Sequence, residues 1–439
     1  PNLPLPLALS PSTPFVLSLS KDIGRSGFDK LSPNGLEVAM NKAGWQTKPL
    51  GEIAQVAAGN SAPQGDKLFE DGIYPFFRTS DAGRIRFGDI CEAGDYLNDA
   101  GIKGLRKFPA GTILFPKSGA STFLNHRVML GVDGYVSSHL ATIFGDETKV
   151  DRRYLLYFLS TVSAQDLVQD HAYPSLNLPL IANIPIALPP LAEQQRIVGI
   201  LDAAFDGIAT AKANAEQNLQ NARALFESHL QSVFSKRGEG WVQKQLGELA
   251  IFRNGINFTR SSKGSPIKIL GVKDFRDKFW APLDELDTVV PDGVVPDADM
   301  LCQNDLVFVR SNGNPDLIGR CVLVGELGER TTHSGFTIRA RLMTKDIAPI
   351  YLCHFLKSAQ ARDKLIEGGN GANIKSLNQG TLSDLVIPFP SIKAQQLIVG
   401  NLEDIQQETQ RLESLYRRKL EALAELKQSL LHQAFSGAL

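Results

Sequence analysis

The sequence predicts an α+β fold: two similar α/β domains with pseudo-two-fold symmetry, joined by two long antiparallel coiled-coil helices. Three observations predict it. The chain says nearly the same thing twice, each copy mixes short strand-like runs with a helical segment, and each copy ends in a long proline-free stretch with coiled-coil spacing.

The duplication is direct. Trp45-Gln-Thr-Lys-Pro-Leu-Gly-Glu-Ile-Ala returns as Trp241-Val-Gln-Lys-Gln-Leu-Gly-Glu-Leu-Ala, an offset of 196. Glu193-Gln-Gln-Arg-Ile-Val-Gly-Ile-Leu-Asp returns as Ala394-Gln-Gln-Leu-Ile-Val-Gly-Asn-Leu-Glu, an offset of 201. Two copies of a unit imply two related surfaces. The spacing divides the 439 residues into a poorly ordered leader (1–44), a first domain (45–188), a first spacer helix (189–236), a second domain (237–389) and a second spacer helix (390–439). The leader is rich in Pro, Ser, Gly and Asn, which favours disorder over packing, and its prolines and missing basic start argue against a signal peptide.

Each copy opens with a Trp, a Leu-Gly-Glu turn and a short apolar run. Strand-like segments follow, broken by Gly, Pro and Asp: Tyr74-Pro-Phe-Phe, Gly111-Thr-Ile-Leu-Phe-Pro and Leu140-Ala-Thr-Ile-Phe in the first copy. Their counterparts are Ile267-Lys-Ile-Leu, Asp305-Leu-Val-Phe-Val-Arg and Gly335-Phe-Thr-Ile-Arg. A helical segment comes next in both, Tyr154-Leu-Leu-Tyr-Phe-Leu and Tyr351-Leu-Cys-His-Phe-Leu, then a Ser-Leu-Asn loop and an apolar, proline-bearing strand.

The long stretches, residues 191–234 and 392–435, carry apolar or small residues at alternating steps of four and three. The first seam reads Ile197, Leu201, Ala204, Ile208, Ala211, Ala215, Asn218, Ala222, Leu225, His229. The second reads Ile398, Leu402, Ile405, Thr409, Leu412, Tyr416, Lys419, Leu423, Leu426, Leu430. A 3.5-residue spacing is that of a coiled-coil seam. One seam is rich in alanine and the other in leucine and tyrosine, so small meets large when they pair. Side-chain size allows either direction; symmetry favours antiparallel, with position numbers summing to 627, so that Ala211 faces Tyr416 and Ala215 faces Leu412. Helices of this length span roughly 65 Å.

Bulk composition excludes little but points away from several classes. A net charge of −1 and a pI of 6.8 give no global sign of a polyanion partner, so nucleic-acid binding must rest on local clusters. Four scattered cysteines without zinc-ligand spacing suit a reducing cytoplasm, and no run is long enough to span a bilayer. There is no phosphate-cradling Gly-x-x-x-x-Gly-Lys loop, no dinucleotide fingerprint and no His-Glu-x-x-His. The chain therefore reads as non-catalytic, with no cofactor or metal of its own. Recognition remains. Basic residues gather in the polar connections: Arg84 and Arg86 in the first copy, Arg253, Arg260, Lys263 and Lys273 in the second. The sharpest pair follows matching strands, Phe115-Pro-Lys-Ser-Gly-Ala-Ser and Phe308-Val-Arg-Ser-Asn-Gly-Asn. Here Lys117 with Ser118, and Arg310 with Ser311 and Asn312, combine a cation, a hydroxyl and backbone amides able to grip a phosphate; Arg310 or Asn312 could also read a purine edge.

The two helices are entered through Leu-Pro-Pro-Leu-Ala-Glu-Gln-Gln-Arg-Ile-Val (188–198) and Phe-Pro-Ser-Ile-Lys-Ala-Gln-Gln-Leu-Ile-Val (389–399). With the two divergent domains, this signature resembles the specificity subunit of Type I restriction-modification systems over residues 45–439. The second copy departs from it at Ala394, where the first has Glu193. The resemblance implies that each domain is a target-recognition domain for half of an asymmetric, bipartite site in double-stranded DNA. It implies that the helices dock two modification subunits, which bind S-adenosylmethionine and methylate adenine, and that restriction subunits supply a motor-nuclease. Two rivals remain: a similar subunit serving a combined methyltransferase-nuclease, and a coiled-coil adaptor whose ends bind proteins.

Overall fold

The computed structural model describes residues 44–168, 174–236, 238–259, 261–276, 278–367 and 376–439. The expected leader lies outside them, apart from Gly44, and so does Arg260. The described residues form two compact units, 44–207 with 425–439 and 208–424, whose borders fall inside the two long helices.

In the first unit, β1 (Gln46–Pro49) leads through the four-residue helix α1 (Leu50–Ile53) into β2 (Ala54–Ala58). Then come β3 (Tyr74–Phe77), α2 (Thr79–Ile85), β4 (Phe87–Ile90), β5 (Asp95–Leu97), β6 (Ile113–Pro116), β7 (Arg127–Leu130), β8 (Tyr135–Val136) and β9 (Leu140–Gly145). A five-stranded sheet has the order β2-β9-β6-β7-β4, and a three-stranded one the order β5-β3-β8. Helices α3 (Arg152–Thr161) and α4 (Leu178–Ala182) follow, and β10 (Pro185–Leu188) returns antiparallel to β1 before the long α5 (Leu191–Ser235). The expected Leu-Gly-Glu turn is a helix, α1; the expected strands at 74, 111 and 140 are β3, β6 and β9.

The second unit repeats the pattern. It contains β11 (Val242–Gln245), α6 (Leu246–Leu249), β12 (Ala250–Asn254), β13 (Ile267–Leu270), β14 (Asp287–Val289), β15 (Leu306–Val309), β16 (Cys321–Leu323), β17 (Thr331–His333) and β18 (Thr337–Leu342). After α7 (Pro349–Lys357), α8 (Ala359–Glu367) and α9 (Gln379–Ser383), β19 (Val386–Phe389) pairs with β11 and leads into α10 (Ile392–Ser436). Its sheets, β12-β18-β15-β16 and β14-β13-β17, match those of the first unit except for β4. In that place, among the described residues, a single bridge joins Trp280 to Leu323.

The same apolar logic builds both cores. On α3, Tyr154, Leu155, Phe158 and Leu159 are buried against Ile113, Phe115 and Ile143 of the sheet, beside Ile197 and Leu201 of α5 and Ala434 and Phe435 of α10. On α7, Tyr351, Leu352, Phe355 and Leu356 are buried beside Leu306 and Phe308, Leu230 and Phe234 of α5, and Leu402 of α10. Each unit thus joins one end of α5 to the opposite end of α10, so within each the helices run antiparallel.

The duplicated Gln-Gln signature explains how each helix is fixed to its domain. Gln194 is fully buried; its amide donates to Pro189 O at 2.8 Å and Lys149 O at 3.1 Å, and its carbonyl accepts from Asp151 N at 2.8 Å. Gln395 does the same with Pro390 O, Asp346 O and Ala348 N, all at 2.8 Å. A buried amide side chain that satisfies three backbone groups is strongly specified, because each group left alone costs about 1–3 kcal/mol. Tyr154 and Tyr351 add matching bonds from their hydroxyls to Ala187 O and Pro388 O. Glu193, by contrast, forms an exposed ion pair with Arg196 at 2.7 Å. The second copy replaces both partners together, as Ala394 and Leu397, so the departure from the signature leaves the joint intact.

Two expectations about the seam need correction. Ile197, Leu201, Ile208, Ala211, Ala215, Ile398, Leu402, Ile405, Leu412, Tyr416 and Leu423 are buried or half-buried as expected, but Asn218, Leu225, Lys419 and Leu426 are exposed. In the second unit Leu219, Phe226 and Leu420 take their place. The inward steps after Ala211 and after Leu412 run four, four, three, a stutter at repeat-equivalent positions that locally unwinds the heptad pattern. The register also differs. Arg223 bonds Glu413 across the helices at 3.3 Å, and their numbers sum to 636. A sum of 627 would separate the two along the axis by nine residues, roughly 13 Å, too far for these side chains. The pairing is displaced by about one heptad, a shift to which a repeating seam is indifferent.

Candidate nucleic-acid interface

The strand-end loops singled out in the sequence lie at one edge of each main sheet. In the first unit that edge collects the end of β2, the end of β6 and the starts of β7, β9 and β4, because β6 runs antiparallel to both β7 and β9 while β4 runs parallel to β7. Lys117 N donates to His139 O at 3.0 Å, and Lys117 O accepts from Leu176 N at 2.8 Å. Ser118 forms an antiparallel bridge with Ser175. The basic loop and the Ser-Leu-Asn loop are therefore one structure. Asn177 then caps α4 by accepting from Leu180 N at 2.8 Å.

The second unit repeats each contact with different side chains. Arg310 N donates to Phe336 O at 2.8 Å, Arg310 O accepts from Leu377 N at 2.8 Å, and Ser311 bridges Ser376. Asn378 caps α9 through Thr381 N. Asn312 accepts from Asn314 N at 2.8 Å, an Asx turn that commits one lone pair of its carbonyl and leaves its amide to donate. In both units a glycine allows the third loop to close in. A Cβ on Gly59 would stand 2.2 Å from Ser137 O, and one on Gly255 2.2 Å from His333 O and from Ser334 O.

The candidate cations divide by what they already hold. Among the described residues, Lys117, Arg310, Arg86 and Lys263 have no ion pair, so their charge is available to an incoming anion. Arg253 is bound to Asp299, Lys273 to Asp287 at 2.5 Å, and Arg84 stands 3.9 Å from Asp81 while donating to Glu92 O at 2.9 Å. The Asp287 carboxylate raises the Lys273 ammonium above its ordinary value. Arg86 precedes β4 with φ of 67° and lies at the same sheet edge as Lys117; with burial as the first cause, its charge helps lower the neighbouring His126 below the usual imidazole range. Lys263 and Lys273 belong to the smaller sheet and its loops, where Lys263 N donates to Asp292. The structure thus brings together Arg86, Lys117 and Ser118 in one unit and Arg310, Ser311 and Asn312 in the other. It leaves Lys263 and Lys273 apart from them.

Sequence reasoning missed two exposed side chains at these edges. His139 and Phe336, the latter 61% exposed, occupy matching positions beside Lys117 and Arg310. An exposed phenylalanine before a buried strand was a readable signal. Among the described residues no group of His, Cys, Asp and Glu could hold a metal ion, and no helix is long and apolar enough to cross a membrane.

Comparison with known proteins gives a consistent result. The chain is 27% identical over 428 residues to the Type I restriction enzyme StySPI specificity subunit of Salmonella potsdam, covering 90% of this chain and 89% of that one. Its fold is similar to that of a chain from a type I R-M system described for its complex assembly and conformational transition, with a TM-score of 0.70 at 17% identity, covering 91% and 99% of the two chains. It is also similar to the HsdS subunit from Thermoanaerobacter tengcongensis, with a TM-score of 0.60 at 18% identity, covering 91% and 98%. Residues 42–221 and 238–422 both match one family, and the chain belongs to it: the Type I restriction modification DNA specificity domain.

Proposed function

We propose that this chain is the DNA-binding specificity subunit of a Type I restriction-modification complex, reading an asymmetric target in two halves. The observation that carries the reading is a sheet edge built twice to one backbone plan and furnished with different side chains. Lys117, Ser118 and His139 stand in one copy where Arg310, Ser311 and Phe336 stand in the other. A shared backbone with unlike side chains is what two readers of unlike sequences require. The free cations supply phosphate grip, and Arg310 and Asn312 carry the donor pattern for purine edges.

On this reading α5 and α10 set the gap between the half-sites and offer their outer faces to two modification subunits, which bind S-adenosylmethionine and methylate adenine. Restriction subunits join the same assembly as its motor-nuclease. The chain itself contributes recognition and positioning, without a reaction of its own. Methylome sequencing of cells expressing this chain with its cognate modification subunit tests the proposal. It should report one bipartite motif with two unlike halves and a fixed gap; a single continuous motif, or none, would refute it. Affinity for duplex should also fall steeply with salt, as counterion release demands, whereas a protein-binding adaptor would show no such slope.

A further inference from the structure

The smaller sheet of each unit runs into the same capped turn. Arg78, after β3, donates from its backbone N to Asp81 at 2.8 Å, and Gly271, after β13, donates likewise to Asp274 at 2.8 Å. The strand pairings set Phe76 opposite Asp95 and Ile269 opposite Asp287, so Arg78 matches Gly271, Asp81 matches Asp274 and Asp95 matches Asp287. The backbones agree as well, with φ and ψ of −114° and 172° at Arg78 and −107° and 172° at Gly271. Any residue adopts that conformation, and among the described residues a Cβ on Gly271 would meet only Asp274 Oδ2, at 3.6 Å. The turn does not need its glycine. What the glycine changes is the space beyond.

In the first unit that space holds the side chain of Arg78. Its Nε donates to Asp95, and its guanidinium lies over Phe76 and Phe69, 5.2 Å and 5.6 Å from the ring centroids. Asp81 is answered twice, by Arg78 N and, through its other oxygen, by Gly94 N at 2.9 Å. In the second unit a cavity of about 330 Å³ takes that place, with Phe258, Ile269, Val289, Lys273, Asp274 and Asp287 in its walls. Lys273 pairs with Asp287 at 2.5 Å, but the pair is exposed and so holds weakly. The second Asp274 oxygen has no bond among the described residues to match that from Gly94. Burial, the first cause, raises the Asp274 carboxyl above its ordinary range, against the pull of Gly271 N. Two carboxylates therefore face one ammonium across the cavity.

We propose that this cavity is a guanidinium socket, taking from outside the chain the planar cation that Arg78 supplies from within it in the first unit. Phe258, 41% exposed, offers a ring face, and Ile269 and Val289 offer apolar walls to the flat sides of the group. Asp287 and the second oxygen of Asp274 accept from its edge, as Asp95 accepts from Arg78. The surplus carboxylate turns away phosphate, which separates this socket from the basic sheet-edge loops, and the proposal does not depend on how those loops bind DNA. An arginine side chain of another polypeptide and a free guanidino compound present the same group to it.

Ligand-observed NMR of the full chain with methylguanidinium tests it. Wild type should bind with a dissociation constant on the order of 1 mM, and should bind methylammonium at least about fivefold more weakly. Gly271→Arg, which rebuilds the first unit's arrangement on a backbone that accepts it, should abolish binding, and Asp287→Asn should weaken it at least about fivefold. No binding by wild type, equal binding of methylammonium, or unchanged affinity in both variants overturns the proposal. Two further ligands separate the sources: tighter binding of N-acetyl-arginine amide assigns the socket to an arginine side chain of another polypeptide, and tighter binding of agmatine assigns it to a free guanidino compound. Cytidine bound more tightly than methylguanidinium would give the cavity to an amino-bearing base, and a gain in methylguanidinium affinity in Arg260→Gln would give it to an arginine of this chain; either result overturns the proposal.

Discussion

The two units differ least where they hold themselves together and most where they face solvent. Gln194 and Gln395 make the same three bonds, Tyr154 and Tyr351 the same hydroxyl bond, and Asn177 and Asn378 the same cap. Against that constancy, β4 of the first unit has no counterpart strand among the described residues of the second, His139 gives way to Phe336, and Tyr157 stacked on Phe87 gives way to His354 against Phe279. The difference separates scaffold from cargo. Positions whose side chains satisfy backbone groups cannot vary without cost, whereas positions that only fill or face space can diverge.

That contrast can be broken most forcefully at the joints. Gln395→Leu strands Ala348 N and the carbonyls of Asp346 and Pro390, and should destabilise the second unit by about 3–4 kcal/mol in denaturant unfolding. Gln194→Leu should do the same to the first. A small effect in either would show that the shared geometry is not what holds the helices.

Acid should separate the units next. Burial, and then the charge of Lys357, lower His354 to about 4, and burial, then Arg339, lowers His333 to about 3. Both stay neutral when folded yet take protons when unfolded, near pH 6.5. Their contribution is fully present above that value and is lost as pH falls from about 6.5 toward 4. For His354 alone the loss approaches about 2–3 kcal/mol. The first unit has a tyrosine in the matching place, so hydrogen exchange should show the second unit loosening first, and His354→Tyr should flatten its pH dependence. Equal acid sensitivity of both units would contradict this.

Recognition should show smaller and more local changes. Lys117→Ala and Arg310→Ala should each weaken duplex binding about 5–10-fold and reduce the salt slope by about one, each relaxing its own half-site only. Loss of both half-sites from one substitution would erase the division of labour. Smallest of all, Glu193→Ala should leave the unfolding midpoint where it was, since the second copy already lives with Ala394.

Much of this architecture was legible in the sequence, because period and punctuation report directly on backbone form. The strands β3, β6, β9, β13, β15 and β18 and the helices α3 and α7 lie where their apolar runs placed them, and α5 and α10 end within a residue or two of expectation. Register was not legible, since a heptad seam looks the same after a seven-residue slip, and only an ion pair such as Arg223 with Glu413 fixes it. The stutter was not legible because Leu225 is as apolar as Phe226, which replaces it at the interface. At the candidate interface the sequence marked Lys117 and Arg310 but not their union with the Ser-Leu-Asn loops, which depends on bonds between residues about sixty positions apart. It also could not distinguish Arg253 and Lys273 from free cations, because Asp299 and Asp287 meet them only after folding.

The glutamine joints change what the neighbouring prolines mean. Pro189-Pro190 and Pro390 stand at the starts of the two long helices, and Pro189 O and Pro390 O are each clamped by a buried amide that also grips the domain behind them. A lever welded to its handle transmits torque instead of absorbing it. Strain imposed at a sheet edge would travel undiminished into α5 or α10, and any compliance must come from the middle of those helices, where the seam is stuttered and the polypeptide has least else to hold.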